Sequence, residues 1–249
     1  MLSTSSLIKI ALILDEEEEE NRKVRKRKRL WVHNILKRRN IEGEFVTLYN
    51  ELLDDQIKYI KYFRMSVKEF NDILQVIKVD IQKENTTFRE AISPMQKLAV
   101  CLRFLATGDS FQTIAFSYRL GHSTVHSIVH EVCKAIVNNL LATCIPVPTE
   151  SDWHDIAKTF WMHWNFPNCI GALDGKHVQI LAPPNSGSNY FNYKKKFSVV
   201  LLALVDANYK FIFVDIESYG KNSDGGIFAN SHLGKRLDNG TLNIANPTT

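Results

Sequence analysis

The sequence predicts an α+β protein: a helical N-terminal region containing a helix-turn-helix outline, followed by a region built on strands. Three observations point there. Apolar residues recur at three- and four-residue spacing through residues 30–145, the signature of amphipathic helices. The run Ile145-Pro146-Val147-Pro148 then breaks the helical pattern, because proline cannot continue a helix. After Pro167 the pattern changes to apolar runs of strand length at residues 169–182, 197–205 and 210–217. The expected organisation is a charged arm at 1–29, a helical region at 30–145 and a strand-bearing region at 149–249. A chain of 249 residues accommodates one large domain or two small ones.

The arm is the least globular part. Residues 15–20 are all acidic, and seven of the eight residues 22–29 are basic: Arg22, Lys23, Arg25, Lys26, Arg27, Lys28 and Arg29. The formal charge of the whole chain is only +4, so this cluster concentrates the cationic character. Such a run serves as a nuclear-import or phosphate-backbone patch, or as a solvated arm whose opposite charges pair along one helix. Residues 7–14, apolar but for Lys9, have no basic lead-in and run straight into the acidic block, unlike a secretory signal. No stretch reaches the roughly 18 apolar residues of a membrane span.

Through the helical region the punctuation is explicit. Residues 31–38 read as a short helix. A second spans 45–53, with Phe45, Leu48, Leu52 and Leu53 inward. Ser66 and Glu69 form a capping box that opens a third, with Phe70, Ile73, Leu74 and Ile77 on one face. Ser93-Pro94 starts the next helix, with Leu98, Leu102 and Leu105 as its stripe and Gly108 as its stop. Ser110 caps a short helix that turns Ile114, Ala115 and Tyr118 inward. Leu120-Gly121-His122 makes a tight turn, and Ser123 caps a long helix through Ile128, Val132, Ile136 and Leu140.

Residues 93–141 therefore have the outline of a helix-turn-helix, which a plain helical bundle shares. Read as a DNA reader, the unit offers Ser123, Thr124, His126 and Ser127 to a groove, with Arg119 and Lys134 beside phosphates. His122, His126 and His130 share one helix face at spacing of four, but no nearby carboxylate or thiolate completes a tetrahedral zinc set. The cysteines Cys101, Cys133, Cys144 and Cys169 are far apart in sequence, without a C-x-x-C pair, and read as reduced intracellular thiols.

In the second half, Thr149 or Ser151 caps a helix with Trp153, Ile156 and Phe160 inward, stopped at Asn165-Phe166-Pro167. The first strand run carries Asp174-Gly175-Lys176-His177. A carboxylate inside an apolar, buried strand costs several kcal/mol unless a cation pairs with it, so Asp174 reads as a metal ligand or as a carboxylate tied to a local amide. The second and third runs are joined by a hairpin at Asp206-Ala207-Asn208-Tyr209. A further carboxylate, Asp224, follows on a glycine-flanked loop. Lys194, Lys195 and Lys196 mark a strand end that suits a DNA backbone or plain solvent. Lys176 and His177, being strand neighbours, point to opposite faces. Asp206 reads as a turn residue and Asp215 as alternating outward.

Several segments together resemble the PIF/Harbinger transposase-derived nucleases of the DDE superfamily. They are Tyr62-Phe63-Arg64-Met65-Ser66, residues 102–110, the block from Trp164 through Asp174 to His177, residues 183–188 with Tyr190-Phe191-Asn192-Tyr193, and Ser223-Asp224. The likeness runs from about Trp31 onward, and the block ending at His177 is its most specific part. The resemblance implies a ribonuclease H-like catalytic domain behind the helical region. It also implies a divalent-metal DNA endonuclease that uses magnesium or manganese, in the nucleus, with DNA as partner and a Myb/SANT-like companion protein. On this resemblance Asp174 and Asp224 match catalytic, metal-binding acids. The family's remaining acids belong to a later strand and helix, so the resemblance implies a C-terminally truncated domain that is inactive by itself. The alternative is a non-catalytic DNA-binding or protein-interaction module of the same descent.

Overall fold

The computed structural model describes residues 32–87, 90–222 and 224–244, the side chains of Glu217, Ser218 and Asp224 excepted. The charged arm, with all seven of its basic candidates from Arg22 to Arg29, lies outside the described residues. The chain divides into two compact units, Met1–Ala135 and Ile136–Thr249. That division lies inside a helix, upstream of the proline break, because nothing in the sequence stops the helix before Pro146.

The first unit is helical. α1 (Asn34–Lys37) and α2 (Arg39–Glu42) are single turns, and the one helix expected over 31–38 is interrupted at Arg38, whose ψ of 13° departs from helical geometry. α3 (Glu44–Leu53) buries Tyr49 and Leu52 and leaves Leu53 exposed, so Tyr49 takes the inward place expected of Leu53. α4 (Gln56–Phe63) is capped by Asp55 and closed by Arg64 in the left-handed region, at φ 61°. α5 (Val67–Ile81) opens on the Ser66–Glu69 capping box that the sequence announces, and buries Phe70, Leu74, Ile77 and Ile81. Tyr49, Tyr59, Phe63 and Phe70 meet at ring-centroid distances from 4.8 to 6.2 Å. Edge and tilted pairs of this kind add about 0.5–1.5 kcal/mol each beyond their buried area.

α6 (Pro94–Thr107) starts at the Ser93 cap and ends at Gly108, whose φ of 70° explains the glycine. It is enclosed on every side from Gln96 to Leu102, and emerges at its far end, where Leu105 is 57 % exposed rather than part of a buried stripe. Inside the enclosed stretch the Lys97 ammonium donates to the Ile81 carbonyl at 2.7 Å and to Glu131 at 3.0 Å. α7 (Phe111–Ser117) buries Ile114 and Ala115, with Tyr118 just past its end. α8 (His122–Cys144) begins two residues earlier than a Ser123 cap allows. The reason is the tight turn itself: the Leu120 amide closes on Ala115 at 2.9 Å and the Gly121 carbonyl takes the Val125 amide at 3.0 Å. Tyr62 gathers these helices. Its hydroxyl donates to Glu44 at 2.7 Å, lies 2.9 Å from the Tyr118 hydroxyl, and its ring carries the Arg103 guanidinium at 4.1 Å. Tyr62 and Arg103, from two of the family-like segments, thus pack together.

The second unit is α+β. α9 (Glu150–Trp164) is capped by Thr149, not Ser151, in a box with Asp152, and closes at Asn165 with φ 53°. β1 (Ala172–Gln179), β2 (Ser198–Val205) and β3 (Phe211–Tyr219) form an antiparallel sheet in the order β1-β2-β3. The β2–β3 hairpin closes on Asp206, whose carboxylate accepts the Asn208 and Lys210 amides at 2.8 Å each, as its sequence requires. α10 (Asp224–Asn230) and α11 (His232–Asp238) follow. Along β2 the even-numbered residues are buried and the odd-numbered half-buried. Val200, Leu202 and Leu204 form the packed face, against Ile227 of α10, Leu233 of α11, Trp153 of α9 and Leu242. The Trp153 indole also donates to the Leu242 carbonyl at 2.8 Å, and Trp164 to Ala207 at 3.2 Å.

β1 departs from expectation. Among the described residues it pairs with β2 alone, and most of its side chains are exposed rather than buried. Asp215 departs too. A register irregularity between Leu204 and Val205 brings both Ile212 and Phe213 to the core. The shift places Asp215 opposite Leu202 on the packed face, where its carboxylate accepts the His232 amide at 3.4 Å. Among the described residues no helix is long and apolar enough to cross a membrane.

Candidate functional site

The register fixes where Asp174 points. Asp174 pairs with Ala203, and Ala203 with Val214, so these three share the outer face. Ala172, Lys176 and Val178 join Asp174 there, and all four are exposed. Leu173, Gly175 and His177 fall on the packed side, opposite Leu204, Leu202 and Val200. Asp174 is therefore exposed here, not the buried carboxylate that its apolar neighbours suggest. Its side chain accepts the Gly175 amide at 2.8 Å. It is a solvent-facing oxygen donor on a rigid strand, with the Lys176 ammonium two residues along on the same face.

Asp224 lies on a helix rather than a loop: it is the first residue of α10. Ile227 anchors that helix to Val200 and Leu202 on the packed face of the sheet. Among the described residues no three His, Cys, Asp or Glu side chains converge on a metal position. His122, His126 and His130 do line one face of α8, packed with aromatic rings instead: Phe104 stacks on Phe111 at 4.6 Å, Phe111 meets His126 edge-on at 5.1 Å, and His126 tilts against His130 at 4.4 Å.

Lys194, Lys195 and Lys196 occupy an exposed turn whose shape is set from below. The buried Asn192 accepts the Lys194 and Lys196 amides on one side-chain oxygen, at 2.9 and 3.1 Å. Its amide nitrogen donates to the buried Ser198 hydroxyl at 2.8 Å, and that hydroxyl meets His177 Nδ1 at 2.9 Å. Lys195 takes a φ of 59° within the turn. Gly220 completes the hub, since a Cβ there would lie 2.5 Å from the Tyr190 carbonyl oxygen and 2.6 Å from that of Ser198. From Ser198 to Ala203, Asp174's partner, is five residues, about 17 Å of strand. The lysine turn and Asp174 are separate features of one sheet. The hub escaped sequence reasoning, although an asparagine just ahead of a lysine run is a recognisable turn signal.

In the helical unit Ser123, His126 and Ser127 are exposed on the first turns of α8. Thr124 is half-buried and lines a cleft with Ser127, Lys83, Glu84, Glu90 and Glu131. Arg119 is engaged within the protein: it donates to the carbonyls of Glu42 and Ile35 at 3.3 and 3.4 Å and pairs with the Glu42 carboxylate at 2.5 Å. The structure also brings Cys101 and Cys133 together at 3.6 Å, a pair that their sequence separation conceals.

Comparison with known proteins places this geometry in context. Residues 173–247 match the DDE superfamily endonuclease family. An ALP1-like protein of Arabidopsis thaliana is 27 % identical over 184 residues, covering 72 % of this chain and 45 % of the relative. The Arabidopsis thaliana protein named antagonist of like heterochromatin protein 1 is 24 % identical, over 64 % of this chain and 41 % of its own length. A putative nuclease of Rattus norvegicus, HARBI1, is 26 % identical over 60 % of this chain and 43 % of its own length. The chain thus spans less than half the length of these relatives. No solved structure matches it.

Proposed function

We propose, from the match of residues 173–247 to the DDE superfamily endonucleases and the similarity of the chain to the putative nuclease HARBI1, that it belongs to a divalent-metal-dependent enzyme that hydrolyses DNA phosphodiesters in the nucleus. The observation that carries this reading is Asp174, an exposed carboxylate in the middle of a strand, on the sheet face away from Ile227, Leu233 and Trp153. Magnesium and manganese prefer such hard oxygen donors. One carboxylate cannot hold a catalytic cation, so Asp174 fits in kind and needs Asp224 and further carboxylates to complete the set. Bound there, the metal would supply an activated water and a counter-charge for the leaving oxygen.

The protein's own contribution is position. β1 fixes Asp174, Lys176 steadies a phosphate on the same face, and the lysine turn at Lys194, Lys195 and Lys196 holds the DNA backbone farther along the sheet. The three antiparallel strands and the helix that follows suit the start of a ribonuclease H-like domain. In the helical unit, the order α6, α7, tight turn, α8 suits a helix-turn-helix with Ser123, His126 and Ser127 toward DNA and Thr124 at the edge. Arg119, committed to Glu42, acts there as a brace rather than a phosphate contact. The basic run from Arg22 to Arg29 serves nuclear import, and a Myb/SANT-like companion protein is the proposed partner.

The test is magnesium- or manganese-dependent nicking of supercoiled DNA, run on these 249 residues and on the longest reading frame that contains them. The longer protein should nick, Asp174→Asn should abolish nicking with DNA affinity nearly unchanged, and the 249 residues alone should bind without cleaving. Equal nicking by wild type and Asp174→Asn overturns the assignment.

A further inference from the structure

Two thiols from distant parts of the first unit face each other. Cys101 sits in the enclosed stretch of α6, fully buried, and Cys133 sits half-buried on α8. Their sulfurs are 3.6 Å apart, and the Cys101 sulfur also lies 3.9 Å from the Val129 carbonyl. A disulfide needs about 2.05 Å, so closure requires the sulfurs to approach by about 1.6 Å. The asymmetry of the pair matters as much as its closeness. The thiol hydrogen bond from Cys101 stabilises a Cys133 thiolate and holds its pKa down to about 7. The same hydrogen bond, with burial, pushes the Cys101 thiol well above its ordinary range. Cys133 is the half-buried member of the pair and Cys101 the buried partner beside it, the arrangement of an oxidisable dithiol.

We propose that Cys101 and Cys133 form a peroxide-sensitive modification site, converted reversibly to a disulfide that staples α6 to α8. The Cys133 thiolate attacks a hydroperoxide oxygen, forming an S–O bond as the O–O bond breaks. The departing alkoxide or hydroxide is protonated, leaving Cys133 as a sulfenic acid. The Cys101 sulfur then attacks the Cys133 sulfur, forming the S–S bond and expelling hydroxide. That hydroxide leaves as water with the proton of Cys101. Overall the dithiol is oxidised by two electrons and the peroxide reduced to an alcohol, or to water, with one further water released. A small dithiol reductant reverses the change.

The experiment uses the 249-residue chain treated with a modest excess of hydrogen peroxide, then alkylated and mapped by mass spectrometry without reduction. A linked peptide pair containing Cys101 and Cys133 should appear before the exposed Cys144 is oxidised, and vanish on adding dithiothreitol. Cys101→Ser should instead trap Cys133 as a dimedone-reactive sulfenic acid, and Cys133→Ser should leave Cys101 unmodified under the same treatment. If Cys133 oxidises no faster than Cys144, or oxidises without linking to Cys101 in the wild-type chain, the proposal fails. Because the wild-type readout requires no substitution, it stands even if a serine variant misfolds.

Discussion

Asn192→Ala should unlock the lysine turn without touching a lysine. The side chain of Asn192 makes three hydrogen bonds, accepting the Lys194 and Lys196 amides at 2.9 and 3.1 Å and donating to Ser198 at 2.8 Å. Each is worth about 1 kcal/mol net, so their sum is about 3 kcal/mol. The two lysine amides are only part-buried and regain water on opening, which lowers the expected loss to about 2–3 kcal/mol. The loss is local, since the Ser198 hydroxyl keeps His177 and the strand ladder is unchanged. Native-state hydrogen exchange should show it as a fall of about 30- to 150-fold in protection of the Lys194 and Lys196 amides, with β2 amides little affected. Asn192→Asp keeps both acceptor bonds and loses only the donor to Ser198, so its fall should be about tenfold or less. DNA affinity should weaken in Asn192→Ala while its salt slope stays, because the cationic charge is intact and only its arrangement is lost. Unchanged protection in Asn192→Ala, or an equal loss in Asn192→Asp, would refute the view that this side chain shapes the turn.

Lys97→Met should cost about 2–3 kcal/mol in urea unfolding. It strips the Ile81 carbonyl and Glu131 of a buried cation, and the remaining Lys83 contact at 3.3 Å keeps the loss below that of a fully buried pair. Adding Glu131→Gln should recover part of that loss; no recovery would mean that the lysine acts only through packing. Acid should loosen the starts of α5 and α9 first. The cap backbone amides of Ser66 and Thr149, donating to Glu69 and Asp152, hold both carboxylates below their usual range. A depressed folded value means the contribution is complete above the unfolded value near pH 4 and is lost as pH falls through the folded one. Glu69→Gln should abolish this acid response in α5 amide exchange, and an unchanged response would place its origin elsewhere.

The sequence disclosed the helical punctuation almost to the residue. Ser66 with Glu69, Ser93 before Pro94, Gly108, Ser110 and Thr149 all signal through their own side chains or φ, and a cap is a local device that no distant contact is needed to complete. What it concealed depends on neighbours far along the chain. Leu105 has the right spacing for burial, but its exposure depends on where α6 emerges from the surrounding helices. Cys101 and Cys133 meet only once α6 and α8 are packed. The reversal of Asp215 follows from a one-residue irregularity in strand register, to which an alternation argument is blind.

Asp174 shows the same division within a single site. Its identity stood out because a carboxylate in a run of strand formers is anomalous whatever surrounds it. Its environment was not legible in the same way, because burial depends on what flanks a strand, and among the described residues β1 has β2 alone beside it. The correction changes the chemistry expected of it. A buried Asp174 would demand a cation merely to stay ionised, and its presence would then argue for a metal on stability grounds alone. An exposed Asp174, satisfied in part by the Gly175 amide, makes no such demand. It is free to serve as a ligand but not compelled to, so removing it should leave folding almost unchanged. Asp174→Asn thereby isolates catalysis from stability, and any loss of nicking in that variant reports on the metal site itself.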